Sequence, residues 1–178
     1  HMRQASNKGF TLIELMVVIA IVAILLALAF PSFEGSMRTN RVSTATNELM
    51  ASFSMARSEA IRSARGGVVC ASADGSTCGG TWDNGWIVWA DSVLQNQTRD
   101  PGEPVVRYVQ AKQRMLVTVA GGASATSISF DNRGRPDNNG APRRITLQPD
   151  TCPSGATLVR TINLSNTGQM RITPGACP

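Results

Sequence analysis

The chain has 178 residues, of which 42% are apolar, 16% charged and 5% aromatic; it carries 16 Gly, 9 Pro and a net charge of +5. That profile excludes an all-helical bundle and a disordered acidic tail, and it suits one or two domains with a turn-rich β part. The single histidine, His1, stands ahead of Met2 and reads as an added residue, so Ser-His-Asp, Cys-His and His-ligated metal chemistry are not expected.

Residues 2–9 are polar and include Arg3 and Lys8. Gly9-Phe10-Thr11-Leu12-Ile13-Glu14 follows, and then an unbroken apolar run from Leu15 to Phe30. Ala29-Phe30-Pro31-Ser32 is a poor match to a secretory cleavage site. As a helix, Phe10 to Phe30 would be roughly 30 Å long, enough to cross a bilayer. Arg3 and Lys8 predict a cytoplasmic start by the positive-inside rule, which sends everything after Pro31 to the oxidising side. Glu14 is the anomaly, because a carboxylate in such a segment costs about 2.5–3.5 kcal/mol on insertion scales. It either snorkels to the headgroups or has a partner, and cutting after Gly9 would create a cationic amine on Phe10.

Gly9-Phe10-Thr11-Leu12-Ile13-Glu14, the apolar run and Pro31 resemble the start of type IV pilins and type II secretion pseudopilins. The resemblance implies that prepilin peptidase cuts after Gly9 and methylates the Phe10 amine. It further implies that Glu14 aids subunit assembly, that Pro31 marks a kink, and that the partners are the inner membrane and other major and minor pilins.

Beyond Pro31, Val42, Ala45, Leu49, Phe53, Ala56 and Ala60 recur at steps of three and four, which makes one apolar helix face. Arg57, Arg62 and Arg65 suit the negative end of this helix, and Gly66-Gly67 is expected to stop it. The period then changes to that of strands. They are predicted at Val68–Ala71, Trp86–Trp89, Val105–Val109, Leu116–Val119, Ile128–Phe130, Arg144–Leu147, Leu158–Leu164 and Gln169–Ile172. Asn84-Gly85, Pro101-Gly102, Gly121-Gly122, Asn139-Gly140 and Asn166-Thr167-Gly168 separate them as turns. The expected fold is α+β and pilin-like: a long N-terminal helix, kinked near Pro31, packed on a head of one or two small antiparallel sheets. Its segments are a leader (1–9), a transmembrane and assembly half-helix (10–30), an amphipathic half-helix (31–66) and a head (67–178). Trp82, Trp86 and Trp89 read as core rather than as a stacking platform, with Trp86 and Val88 on one strand face and Ile87 and Trp89 on the other. Met50 and Met55 read as helix packing.

Four cysteines allow three pairings. Nearest neighbours, Cys70 with Cys78 and Cys152 with Cys177, are favoured; zinc is the rival, without a CxxC spacing or a native histidine to support it. Disulfides would place the head outside the cytoplasm.

Phe53-Ser54-Met55-Ala56-Arg57-Ser58-Glu59-Ala60-Ile61, Val68-Val69-Cys70, Cys78 and Gly85-Trp86-Ile87-Val88-Trp89-Ala90-Asp91 resemble the subfamily of the pseudopilin GspH and the minor pilins FimT and FimU, the FimT-like members most of all. That likeness implies a minor pilin whose head binds DNA during natural transformation through a C-terminal Gly-Arg-x-Arg motif. The matching positions here are Gly168-Gln169-Met170-Arg171, so Gln169 departs from the pattern and Arg171 alone carries over. Charge points the same way, since Arg133, Arg135, Arg143, Arg144, Arg160 and Arg171 gather in the last third of the chain, enough to hold phosphates without reading sequence. Arg160 and Arg171 are the leading candidates, on the expectation that the last strand pair places them on one side. The expected role is non-specific capture of double-stranded DNA; the alternative is a structural or priming minor pilin, or a pseudopilin, that binds none. No nucleophile with a base, phosphate loop or metal cluster stands out, so neither an enzyme nor a cofactor is expected.

Overall fold

The computed structural model describes residues 9–94, 96–122, 124–138, 140 and 142–178. Arg3 and Lys8, on which the topology expectation rests, and Asn139 of one expected turn lie outside the described residues.

Helix α1 runs Leu12–Ser63. It starts two residues later than Phe10, for a local reason. Thr11 caps it: Thr11 Oγ1 accepts the Glu14 amide at 3.3 Å, and the Thr11 carbonyl accepts the Leu15 amide at 3.1 Å. Thr11-Leu12-Ile13-Glu14 therefore has the spacing of a capping box, with Glu14 in the first turn at the positive end of the helix dipole. Leu12–Phe30 is long and apolar enough to cross a membrane, and its large apolar side chains are exposed. Pro31 does not interrupt the helix, although lacking an N–H it leaves the Ala27 carbonyl without its helical donor.

The chain divides into two units, residues 1–37 and 38–178. In the second, Val42, Ala45, Leu49, Phe53, Ala56 and Ala60 are all 0–1% exposed, so the predicted face is the buried one. The helix ends at Ser63, with Ala64 in the left-handed region at φ 55° and the Arg65 amide bonded back to the Ala60 carbonyl. The expected stop at Gly66-Gly67 is thus corrected, since those glycines open β1. A Cβ on Gly67 would lie 2.0 Å from the Ala56 carbonyl oxygen; glycine lets the strand approach the helix backbone.

Eight strands follow: β1 (Gly66–Ala71), β2 (Gly85–Asp91), β3 (Val105–Gln110), β4 (Met115–Ala120), β5 (Ser127–Phe130), β6 (Arg143–Pro149), β7 (Val159–Leu164) and β8 (Met170–Gly175). They form two four-stranded antiparallel sheets, ordered β3-β2-β1-β5 and β4-β6-β7-β8. Their inner faces and the helix make one core, which includes Trp86, Val88, Ile128, Ile145, Leu147, Ile162 and Leu164. The outer face of the first sheet is buried too, through Val68, Cys70, Ile87 and Trp89. All three tryptophans are therefore core residues. Trp82 Nε1 donates to the Ala125 carbonyl at 2.8 Å and Trp86 Nε1 to Ser52 Oγ at 2.9 Å. Met50 and Met55 pack against the same core, half-buried. Disulfides join Cys70 to Cys78 and Cys152 to Cys177, with Cα separations of 5.5 and 5.4 Å.

Candidate nucleic-acid interface

The six candidate arginines do not form one cluster. Arg143 begins β6 in step with Ile145 and Leu147, which places it on the core face, and it is 1% exposed. Its guanidinium donates to three backbone carbonyls: Asp137 from Nε (3.1 Å) and Nη2 (2.8 Å), and Ser124 (2.6 Å) and Ser127 (2.9 Å) from Nη1. Burial lowers its pKa from the ordinary arginine value, against the opposing charge of Asp137. As a DNA-binding candidate Arg143 is corrected: it is a buried cross-link that satisfies the half-buried carbonyls of three residues.

Arg160 is corrected as a companion of Arg171. In the β7–β8 register Arg160 faces Pro174, whereas Arg171 faces Asn163, so the two arginines lie on opposite sides of the sheet. Arg160 is half-buried and folds onto its own strand, donating to the Thr157 (3.1 Å) and Val159 (2.9 Å) carbonyls.

Arg133 and Arg135 sit in a turn organised by Asp131. Asp131 Oδ1 accepts the amides of Arg133 (2.9 Å) and Arg135 (2.8 Å), and Oδ2 accepts Arg135 Nε at 2.9 Å. Partial burial pushes the Asp131 carboxyl up, but these hydrogen bonds and the Arg135 charge outweigh it and hold the carboxyl below its usual range. Arg135 is thereby paired, and Arg133 is exposed.

Arg144 and Arg171 come together. Arg144 pairs with Asn163, and Asn163 with Arg171, in one row across the solvent face of the second sheet. Both are exposed, and with strands about 4.8 Å apart their backbones are separated by about 10 Å. A second row, Thr118, Thr146, Thr161 and Thr173, crosses all four strands beside it. The outward positions of these strands carry no Asp or Glu. The alternation that could have revealed the threonine row was present in the sequence; the register that aligns it was not.

Arg57, expected as a helix-end charge within the Phe53–Ile61 segment, has a structural task. Its guanidinium donates to the Gly168 (3.3 Å) and Thr167 (3.4 Å) carbonyls. A Cβ on Gly134 would lie 2.8 Å from Arg57 Nε, and one on Gly168 would lie 2.4 Å from the Gly134 carbonyl oxygen. Two glycine turns thus close on one arginine, beside a groove of about 640 Å³ that Arg57, Gln169 and Arg171 help to line.

Residues 45–168 match the family model described as type II transport protein GspH, and residues 4–30 match the prokaryotic N-terminal methylation motif. A fimbrial protein of Pseudomonas aeruginosa is 46% identical over 46 residues, 26% of this chain and 30% of the relative. The type IV major alpha-pilin of Moraxella bovis is also 46% identical over 46 residues, 26% of this chain and 29% of the relative. The chain therefore matches less than a third of the length of these curated relatives. Among solved structures, the type IV minor pilin FimU of Pseudomonas aeruginosa aligns with a TM-score of 0.56 at 20% identity, over 76% of this chain and 90% of that one. The minor pseudopilin EpsH of the Vibrio cholerae type 2 secretion system aligns with a TM-score of 0.51 at 12% identity, over 75% and 97%. The chain belongs to the family of type II transport protein GspH, carries the N-terminal methylation motif ahead of it, and shares the fold of the minor pilin FimU and the minor pseudopilin EpsH.

Proposed function

We propose that this chain is a minor pilin that enters the inner membrane through Leu12–Phe30, is cut by prepilin peptidase after Gly9 and methylated on Phe10, and joins a type IV pilus with its head on the periplasmic side. Glu14 serves two ends in this reading, supporting the helix start as an isolated chain and meeting a neighbouring cationic amine in the filament. The head captures double-stranded DNA without reading its sequence. The observation that carries DNA capture is the acid-free outer face of the second sheet, where Arg144 and Arg171 flank Asn163. Two phosphate contacts give a log–log salt slope near −1.8, or roughly a 12-fold loss of affinity between 50 and 200 mM salt. Arg133 is the third candidate and would steepen that slope by about 0.9.

The test is a gel-shift salt series on the full chain in detergent micelles. Arg144→Glu with Arg171→Glu should remove most of the salt-sensitive binding, whereas Arg160→Glu should leave most of it. Equal binding by the double variant and the parent removes this face as the site.

A second reading has support of its own. Arg143 is buried, Arg135 is paired, Arg160 turns back on its strand, and Gln169 stands where the family motif has arginine. A subunit that primes or supports the filament without touching DNA accounts for that loss of free charge. Deletion separates the two: reduced DNA uptake with normal piliation favours capture, and lost pili favour the structural role.

A further inference from the structure

The β2–β3 connection is held at its base by two buried carboxyl groups. Asp91 is 3% exposed and Glu103 1%. Glu103 accepts three amides: Oε1 takes those of Ser92 (2.8 Å) and Val93 (2.9 Å), and Oε2 takes that of Asp100 (2.9 Å). Asp91 is less well served. Its Oδ2 accepts the Gln97 amide at 2.9 Å, while Oδ1 is buried with no hydrogen-bond partner.

Among the described residues, the groups around Asp91 do not supply the missing charge. A cavity of about 390 Å³ beside it is lined by Arg65 from the end of α1 and by Asp131, Arg135 and Asp137 from the turn after β5. Arg65 donates to the Ser92 carbonyl, and Arg135 is committed to Asp131. Gly66, opposite Asp91 in the β1–β2 register, brings no side chain. Glu103 adds like charge. An ionised carboxylate with an unpaired oxygen in such a place is costly, and neutralisation by a proton is the usual outcome.

We propose that a proton held on Asp91 latches the β2–β3 connection, and that losing it as the pH rises loosens the amides of Ser92, Val93, Gln97 and Asp100. A proton on Asp91 turns its carboxyl into a donor to the neighbouring Glu103 carboxylate and removes the like charge between them, while Oδ2 still accepts from Gln97. The neighbouring cavity gives that proton an exit. Burial, and to a smaller degree the charge of Glu103 and a hydrogen bond to it, raises the Asp91 carboxyl above its ordinary value against the backbone bonds of Gln97 and Asn96. The sign follows: a raised native value makes this contribution complete below the unfolded value near 4, and it is lost as the pH climbs through the native one.

The experiment is amide hydrogen exchange by NMR on the full chain in detergent micelles from pH 4 to 8, each rate divided by its intrinsic value. Protection of the Ser92, Val93, Gln97 and Asp100 amides should fall at least tenfold across that range, while the β1–β2 ladder amides of Cys70 and Ile87 hold. Asp91→Asn, which keeps the shape and an acceptor without the charge, should show high and pH-independent protection at all four. A flat profile in the parent, or the same fall in the variant, overturns the proposal. So does restoration of protection at pH 8 by 1 mM calcium, which would make a metal rather than a proton the counter-charge. The ¹³C carboxyl titration of Asp91 in the parent reads the latch without mutation: a midpoint above that of free aspartate supports it, and one at or below overturns it.

Discussion

Replacing Arg143 with methionine should unfold the head more readily without acting on a DNA surface. The arginine is 1% exposed, and its guanidinium serves the carbonyls of Asp137, Ser124 and Ser127. Methionine fills much of the aliphatic volume but donates nothing, so three half-buried carbonyls lose their donor. Each orphaned group costs about 1–3 kcal/mol, of which partial relaxation and water entry recover some. A loss of about 4 kcal/mol is expected, near the 3–5 kcal/mol typical of breaking a buried charged network. For a unit of this size that corresponds to a fall in Tm of roughly 13 °C. Arg143→Lys should recover only part, because one ammonium cannot reproduce a planar fork spread over three carbonyls. The assay is thermal and urea denaturation followed by near-UV circular dichroism, with the disulfides intact. Stability within about 0.5 kcal/mol of the parent, together with weakened DNA binding, would show that Arg143 is a surface ligand and would refute its placement in the core.

Three further outcomes follow from the same geometry. Gly67→Ala should destabilise by more than about 3 kcal/mol, because the new Cβ would lie 2.0 Å from the Ala56 carbonyl oxygen and neither backbone can yield cheaply; urea midpoints check this. Opening the Cys152–Cys177 bridge with paired serines should cost roughly 3.5 kcal/mol on a chain-entropy estimate for its 25-residue separation, read as a lower Tm. Asp131, whose carboxyl is held below its usual value by the Arg133 and Arg135 bonds, contributes stability that is present above about pH 4 and lost as the pH falls through the native value. Asp131→Asn should therefore flatten part of the acid limb of the stability curve measured from pH 2 to 6.

Much of the fold could be read from hydrophobic period alone. Val42, Ala45, Leu49, Phe53, Ala56 and Ala60 announce the buried face of α1, and the strands lie within a few residues of their expected places, because alternation and turn residues are local signals. Register is not local. Whether Arg160 and Arg171 share a face depends on the pairing set by the 165–169 turn, and a slip of one residue reverses the answer. Arg143 is different, because its signal was available: it stands two residues from Ile145 and four from Leu147 in an alternating strand, and only the expectation that arginine faces solvent hid it. Gly66-Gly67 had the composition of a helix stop but serves close packing against Ala56, a long-range contact that no local pattern carries. Thr11 and Glu14 were legible as a capping box and were overshadowed by the cost of a carboxylate next to an apolar run.

The membrane-and-filament account turns on what happens at Gly9-Phe10. Intact-mass and terminal-peptide mass spectrometry of the native protein recovered from sheared filaments measures that directly. The account predicts a chain that begins with N-methylated Phe10 and retains Glu14 and the whole of Leu12–Phe30. A product beginning after Phe30, or one still joined to residues 1–9 in the filament fraction, would contradict it.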